Sequence, residues 1–258
     1  MTDKSIDARI GSHAFGNIEV LRHIQLEVSP NEIVAIVGPS GCGKTTLLNL
    51  LSGTLNPSNG TISREGPTRT VYQQDGLLPW LTMAGNIDLG LRHLTDSKAR
   101  SSALEEALAM IGLETFRDHY PYQVSGGMRQ RAELARALVS QARILLLDEP
   151  FSALDYMTRL HMRHEFVRLM QNMPRTVLLV THDVEEAVEL ADRVLVLTRR
   201  PTTILDELRM RSPRPRHVTD PEVVATVGRL LSLLNLETPF TATGPHADHA
   251  DRIPIALS

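Results

Sequence analysis

The sequence predicts an α/β protein: a mostly parallel sheet covered by helices on both faces and interrupted by an inserted helical lobe. Three observations carry that prediction. Residues 144–147 read Ile-Leu-Leu-Leu, and Ile33–Val37 and Thr176–Val180 are almost as uniformly apolar, as strands buried on both faces must be. These runs alternate with helical patterns at 45–51, 155–173 and 184–191, the order expected of strands crossed over by helices. Between residues 97 and 140 the alternation stops and helical pattern dominates, so that stretch reads as an insertion.

Taken in order, residues 24–28 (I-Q-L-E-V) alternate apolar and polar, which suits a half-buried strand. The turn S-P-N-E leads to the buried run at Ile33–Val37, and a glycine-rich loop follows at 38–43. The helix at 45–51 stops at Gly53, with Pro57 beyond it. Residues 58–80 read as short strands and turns, and the helical stretch 97–140 is broken around 119–127. A buried strand at 144–147, a helix up to Pro174, a strand at Thr176–Val180, a short acidic helix and a strand at Arg193–Leu197 follow. Pro213, Pro215 and Pro221 mark an extended connector at 211–221. Beyond it Val223, Val224, Val227, Leu230, Leu231 and Leu234 recur at helical spacing. The tail, 237–258, is weakly patterned and its composition fits partial disorder; His246 and His249 within it read as solvated rather than as metal ligands.

Composition narrows the function classes. The 258 residues are 42% hydrophobic but only 4% aromatic, so the core is built mainly from Leu, Val, Ile, Ala and Met. The net charge of −3, with no dense Lys/Arg stripe, argues against nucleic acid as a partner. One cysteine, Cys42, excludes an intramolecular disulfide and fits a reducing compartment. The first residues lack a signal-peptide profile, and no apolar run approaches the roughly 20 residues needed to cross a bilayer. Any membrane role is therefore expected to run through a partner.

Gly38-Pro39-Ser40-Gly41-Cys42-Gly43-Lys44-Thr45, with Thr46 after it, matches G-x-x-x-x-G-K-[ST] between a buried strand and a helix. The glycines let the backbone curl so that successive N–H groups face an anion. Lys44 brings a cation to the β- and γ-phosphates, Thr45 offers a hydroxyl to Mg²⁺, and the helix start adds partial positive charge. Cys42 reads as a small space-filler whose thiolate Lys44 and the helix start would favour, leaving it open to alkylation. Asp148 and Glu149 emerge at the carboxyl end of the 144–147 strand, where ligands bind in open α/β sheets. Asp148 suits Mg²⁺, held through water, and Glu149 suits the polarisation of an attacking water. Ser125-Gly126-Gly127 enters a helix, an anion-binding arrangement that taken alone would be only a helix cap.

In this order the phosphate loop, S-G-G-M-R-Q-R, L-L-L-D-E-P, S-A-L-D and T-H-D resemble the nucleotide-binding subunit of ABC transporters, over about residues 5–235. The resemblance implies a P-loop NTPase: a mostly parallel sheet core, a small antiparallel β lobe and a helical insertion at roughly 83–140, in one domain spanning 1–236. It implies hydrolysis of ATP with Mg²⁺ in a homodimer. There Ser125, Gly126 and Gly127 of one copy meet the γ-phosphate held by the other, and 152–155, ending in Asp155, communicates across the dimer. It also implies that His182 contacts the γ-phosphate and that Gln73 reaches Mg²⁺ and the water. Gln74 leaves that assignment open by one residue, although Tyr72 before Gln73 matches the family pattern. Phe15, 23 residues before Gly38, stands where the family stacks an aromatic on adenine, usually Tyr.

D-G-L-L-P-W-L-T, E-P-F-S-A-L-D followed by T-R, D-R-V-L-V-L-T-R-R-P and S-P-R-P-R look like the importer ATPases for nitrate, taurine and aliphatic sulfonates. That likeness implies two integral membrane permease subunits, an extracytoplasmic solute-binding protein, and a peripheral position on the cytoplasmic face of the inner membrane. The apolar cluster Leu77, Leu78, Pro79 and Trp80 is expected to lie against a helix of the membrane subunit. An exporter or lipid-transport ATPase is the nearest alternative. A repair or ribosomal ATPase is a poorer fit, since the chain has neither a long coiled-coil insertion nor a second such domain.

Overall fold

The computed structural model describes residues 4–73 and 76–234. Gln74 and the tail 237–258, with His246 and His249, lie outside the described residues. A six-stranded sheet forms the centre, in the order β5 (Thr68–Val71), β6 (Ile144–Asp148), β7 (Thr176–Val180), β3 (Ile33–Val37), β8 (Arg193–Leu197), β9 (Ile204–Arg209). All neighbours run parallel except β8 and β9. Every residue of β3, β6, β7 and β8 is buried, which is why these segments lack alternation in the sequence.

A second sheet is antiparallel, in the order β2 (Ile18–Val28), β1 (Ile6–Phe15), β4 (Asn59–Arg64). Its inward residues, among them Ile6, Ile10, Ile24, Leu26 and Val28, share one core with α1 (Lys44–Ser52) and with one face of the central sheet. The other face packs against the remaining helices in a second core that includes Phe151 and Phe166.

The helices of the predicted insertion are α2 (Met83–Asp88), α3 (Ser97–Met110) and α4 (Gly126–Leu138). The break between α3 and α4 is longer than the sequence suggested, because Gly112 takes a left-handed φ of 62° just after α3 ends. Two further helices flank the central sheet: α5 (Tyr156–Asn172) and α6 (Val184–Leu190). In α7 (Pro221–Leu233), Val223 and Leu230 are buried but Val224 faces solvent, so the apolar stripe is narrower than expected. Sequence pattern also missed β1 and β9. The residues 58–80 split, with β4 in the antiparallel sheet and β5 in the central one. Among the described residues no helix is long and apolar enough to cross a membrane.

Candidate nucleotide site

The sheet order explains the site. β5, β6, β7 and β3 are successive neighbours and parallel, so the residues leaving their carboxyl ends meet along one edge. These are Gln73 after β5, Asp148 and Glu149 at the end of β6, His182 after β7, and the phosphate loop after β3.

In the loop, Gly41 and Gly43 take φ values of 72° and 114°, conformations a side chain would strain. At Gly43 an added Cβ would also sit 2.7 Å from a methyl of Val20. The Lys44 ammonium donates to the carbonyls of Gly38 and Pro39, at 2.8 and 3.2 Å, which holds it inside the curl. The Thr45 hydroxyl donates to Asp148 Oδ2 at 2.8 Å. Asp148 is 2% exposed; burial pushes its carboxyl above the usual range, Glu149 pushes the same way, and the Thr45 hydrogen bond and Lys44 oppose.

Glu149 has φ 50°, in the left-handed region that non-glycine residues rarely occupy. Its backbone is pinned on both sides: its N–H donates to Val180 at 2.8 Å, and its carbonyl accepts from Gln130 Nε2 and Ser152 Oγ, each at 2.9 Å. Strain held in place by surrounding contacts is a common property of active-site and ligand-clamping residues. The side chain aims at the loop cluster. Gln73 Nε2 donates to Glu149 Oε2 at 3.4 Å, and His182 Nδ1 lies 3.2 Å from the same oxygen. Gln73, Glu149 and His182, far apart in sequence, thus meet on one carboxylate oxygen.

Comparison with known proteins agrees with this geometry. The family model described as ABC transporter matches residues 21–152. The aliphatic sulfonates import ATP-binding protein SsuB 1 of Rhodococcus jostii is 45% identical over 225 residues, 85% of this chain and 89% of the relative. The chain belongs to the ABC transporter family. The nitrate import ATP-binding protein NrtC of Synechococcus elongatus is 41% identical over 213 residues, 78% of this chain and 32% of that longer relative. A dimeric structure of the ATP-binding cassette MJ0796 in a post-hydrolysis state, bound to ADP and Pi, aligns with TM-score 0.72 at 29% identity, covering 81% of this chain and all of that one. The α/β P-loop architecture is therefore that of an ABC ATPase, and ATP hydrolysis is the activity of the family.

The remaining residues can be placed in that frame. Ser125 is the N-cap of α4, where its hydroxyl accepts the Met128 N–H at 3.3 Å. Ser125 and Gly126 are exposed, and Gly127 sits so close to the 152–155 loop that a Cβ there would be 3.0 Å from the Ala153 carbonyl. Asp155 is the exposed N-cap of α5 and accepts from Thr158 N; the Thr158 side chain first, and this backbone hydrogen bond after it, hold its carboxyl below the ordinary range. Tyr156 and Met157 beside it are exposed, an apolar edge continuous with this loop. Phe15, at the end of β1, is half exposed, its ring edge-to-face with that of buried His13.

Two expectations are corrected. Cys42 is 2% exposed, and burial pushes its thiol up more than Lys44 pulls it down, so the thiol is packed and protonated rather than open to alkylation. Leu77 is part of the core, so the apolar cluster divides: Trp80, 69% exposed, and Pro79 stand out while Leu77 anchors the loop from within.

Sequence reasoning also missed two residues. Gln130 is buried and bridges, donating to Glu149 O and accepting the Ala153 N–H at 3.0 Å. Asn86, fully buried in α2, accepts the Leu78 N–H and donates to the carbonyls of Leu78, Leu81 and Thr82, so one side chain shapes the whole Trp80 loop. The signal was available in both cases: each is a polar residue on the apolar stripe of its helix.

Proposed function

We propose that this chain is the ATP-hydrolysing subunit of an importer for a small anion of the nitrate, taurine or aliphatic sulfonate class. It works as a homodimer around two ATP, bound to two membrane permease subunits that receive solute from an extracytoplasmic binding protein. Its place is the cytoplasmic face of the inner membrane. The observation that carries the hydrolytic part is the convergence of Gln73 and His182 on Glu149 Oε2, beside the Lys44 loop. The solute class is supported by the import proteins for aliphatic sulfonates and nitrate at 45% and 41% identity.

In this reading Gly38, Pro39, Ser40, Gly41, Cys42, Gly43, Lys44, Thr45 and Thr46 wrap the phosphates, and Phe15 offers its exposed ring to the adenine. Lys44 exchanges its carbonyl partners for phosphate oxygens. Thr45 and Asp148, already 2.8 Å apart, and Gln73 are hard oxygen donors suited to Mg²⁺. The ion, when bound, neutralises charge on the β- and γ-phosphates. Glu149 takes the proton of the attacking water, and His182 and Gln73 fix the water and the γ-phosphate about that carboxylate. Ser125, Gly126 and Gly127 of the second copy donate to the same γ-phosphate, and Asp155 reports across the interface. Trp80 docks on the membrane subunit.

The test is to purify the assembled transporter in lipid and measure its ATPase with the loaded binding protein. Stimulation by an alkanesulfonate, taurine or nitrate is expected. Stimulation only by a chemically unrelated solute overturns the solute class, and outward movement of substrate overturns import.

A further inference from the structure

One side chain pair outside the nucleotide site is placed to act on it. Glu133 and Arg136 stand one turn apart on α4, 5% and 8% exposed, with 3.4 Å between Glu133 Oε1 and Arg136 Nη2. Both reach the same residue. Glu133 Oε2 accepts the Gly76 N–H at 2.7 Å, and Arg136 Nη2 donates to the Gly76 carbonyl at 2.9 Å. Both backbone groups of a loop residue are thus taken by charge-assisted hydrogen bonds. Burying two charges is costly. A pair turned toward one peptide of a loop fixes the course of that loop.

Gly76 lies between Gln73 and the Trp80 loop, and a Cβ there would fall 3.0 Å from Glu133 Oε1, so a side chain at this position would push against the carboxylate that holds it. The same face of α4 carries Gln130, one turn earlier, which holds the Glu149 carbonyl. One helix therefore holds both Gly76, three residues after Gln73, and the backbone of Glu149, and the Gln73 and Glu149 side chains meet at 3.4 Å.

We propose that Glu133 and Arg136 are positioning residues that clasp Gly76 and so set Gln73 against Glu149 and the attacking water. A shift of α4 then reaches Gln73 through Gly76, three residues along the chain, and in the opposite direction movement of the Trp80 loop reaches Glu149 by the same route. The catalytic part rests only on the ATPase site. The coupling part rests on the reading of Trp80 as the membrane-subunit contact.

The experiment is steady-state ATPase kinetics on the full-length chain, at concentrations that support dimerisation, for wild type and Glu133→Ala, Glu133→Gln and Gly76→Ala. Glu133→Ala and Gly76→Ala are expected to lower kcat about tenfold, with KM for ATP within about twofold because the Lys44 loop is untouched. Glu133→Gln, which keeps an acceptor for the Gly76 N–H, should recover most of kcat. A kcat for Glu133→Ala within about twofold of wild type overturns the proposal. So does a parallel fall of kcat, ATP affinity and thermal midpoint in both alanine variants, which marks a merely structural pair. Repeating the series with the membrane subunits separates the two parts. If wild type is not stimulated there, the docking reading fails while the kcat comparison still stands.

Discussion

The side-chain amide of Gln130 donates to the Glu149 carbonyl at 2.9 Å, tying the helix that begins at Ser125 to the carboxylate at the end of β6. Its oxygen holds Ala153 N, so one buried residue locks Glu149 to the loop that leads to Asp155. Glu149 needs such support because its φ of 50° is unfavourable by about 1 kcal/mol or more. Gln130→Ala is expected to lower kcat about tenfold to a hundredfold while KM for ATP changes little. Rapid-quench measurement of the hydrolysis step checks this, and an unchanged step removes Gln130 from any positioning role.

Glu149→Gln keeps the shape of the side chain and its place beside Gln73 and His182, but removes the proton acceptor. ATP binding should survive, turnover should fall by at least about a hundredfold, and ATP should accumulate in a dimer. Size-exclusion chromatography with Mg-ATP reads the outcome. Nucleotide bound to a chain that still elutes as a monomer would show that Ser125, Gly126 and Gly127 do not complete the site from a second copy.

Much of this was legible in the sequence because the phosphate loop, Asp148 and Glu149 sit at strand ends that a parallel sheet must align. Uninterrupted burial of β3, β6 and β7 erased their polarity, and that made them easy to recognise. The antiparallel sheet was harder: β1 alternates only over its first five residues, Ile6 to Ile10, before Gly11, Ser12 and His13 interrupt it, and β4 is almost wholly exposed and shows no alternation. Convergence on Glu149 Oε2 depends on sheet order, which no local pattern encodes. The roles of Gln130 and Asn86 depend on which backbone groups a tertiary fold leaves unpaired.

Trp80 offers a direct test of partner docking. It is 69% exposed, while Leu77 beneath it is core and Asn86 fixes the intervening backbone. Trp80→Ala should therefore leave the thermal midpoint within about 2 °C and basal ATPase unchanged, yet reduce co-purification with the membrane subunits about tenfold or more, as loss of an aromatic anchor does. Undiminished co-purification places the contact elsewhere.

Behind His182 lies an ionic cluster with an unequal count of charges. Arg163, on α5, is 4% exposed and pairs with Asp183, with Glu186 at 3.0 Å and with Glu189 at 3.4 Å; Arg159 adds a longer contact to Asp183 at 3.7 Å. Burial drives the Glu186 carboxyl up, against the pull of Arg163, to about 7, and drives Glu189 up as well, whereas backbone and arginine contacts outweigh burial and hold Asp183 low. In the unfolded chain Glu186 loses its proton near 4.5, but the folded protein keeps it to about 7. Between those values the folded state binds the additional proton, so stability falls as pH rises through the window and levels off above it. Glu186→Gln, which mimics the protonated form, removes that slope. The thermal midpoint of wild type should lose on the order of 5 °C relative to Glu186→Gln between about pH 5 and pH 7.5. Parallel curves for the two proteins would mean that Glu186 is ionised throughout, with Arg163 and Arg159 together sufficient to hold all three carboxylates charged behind His182.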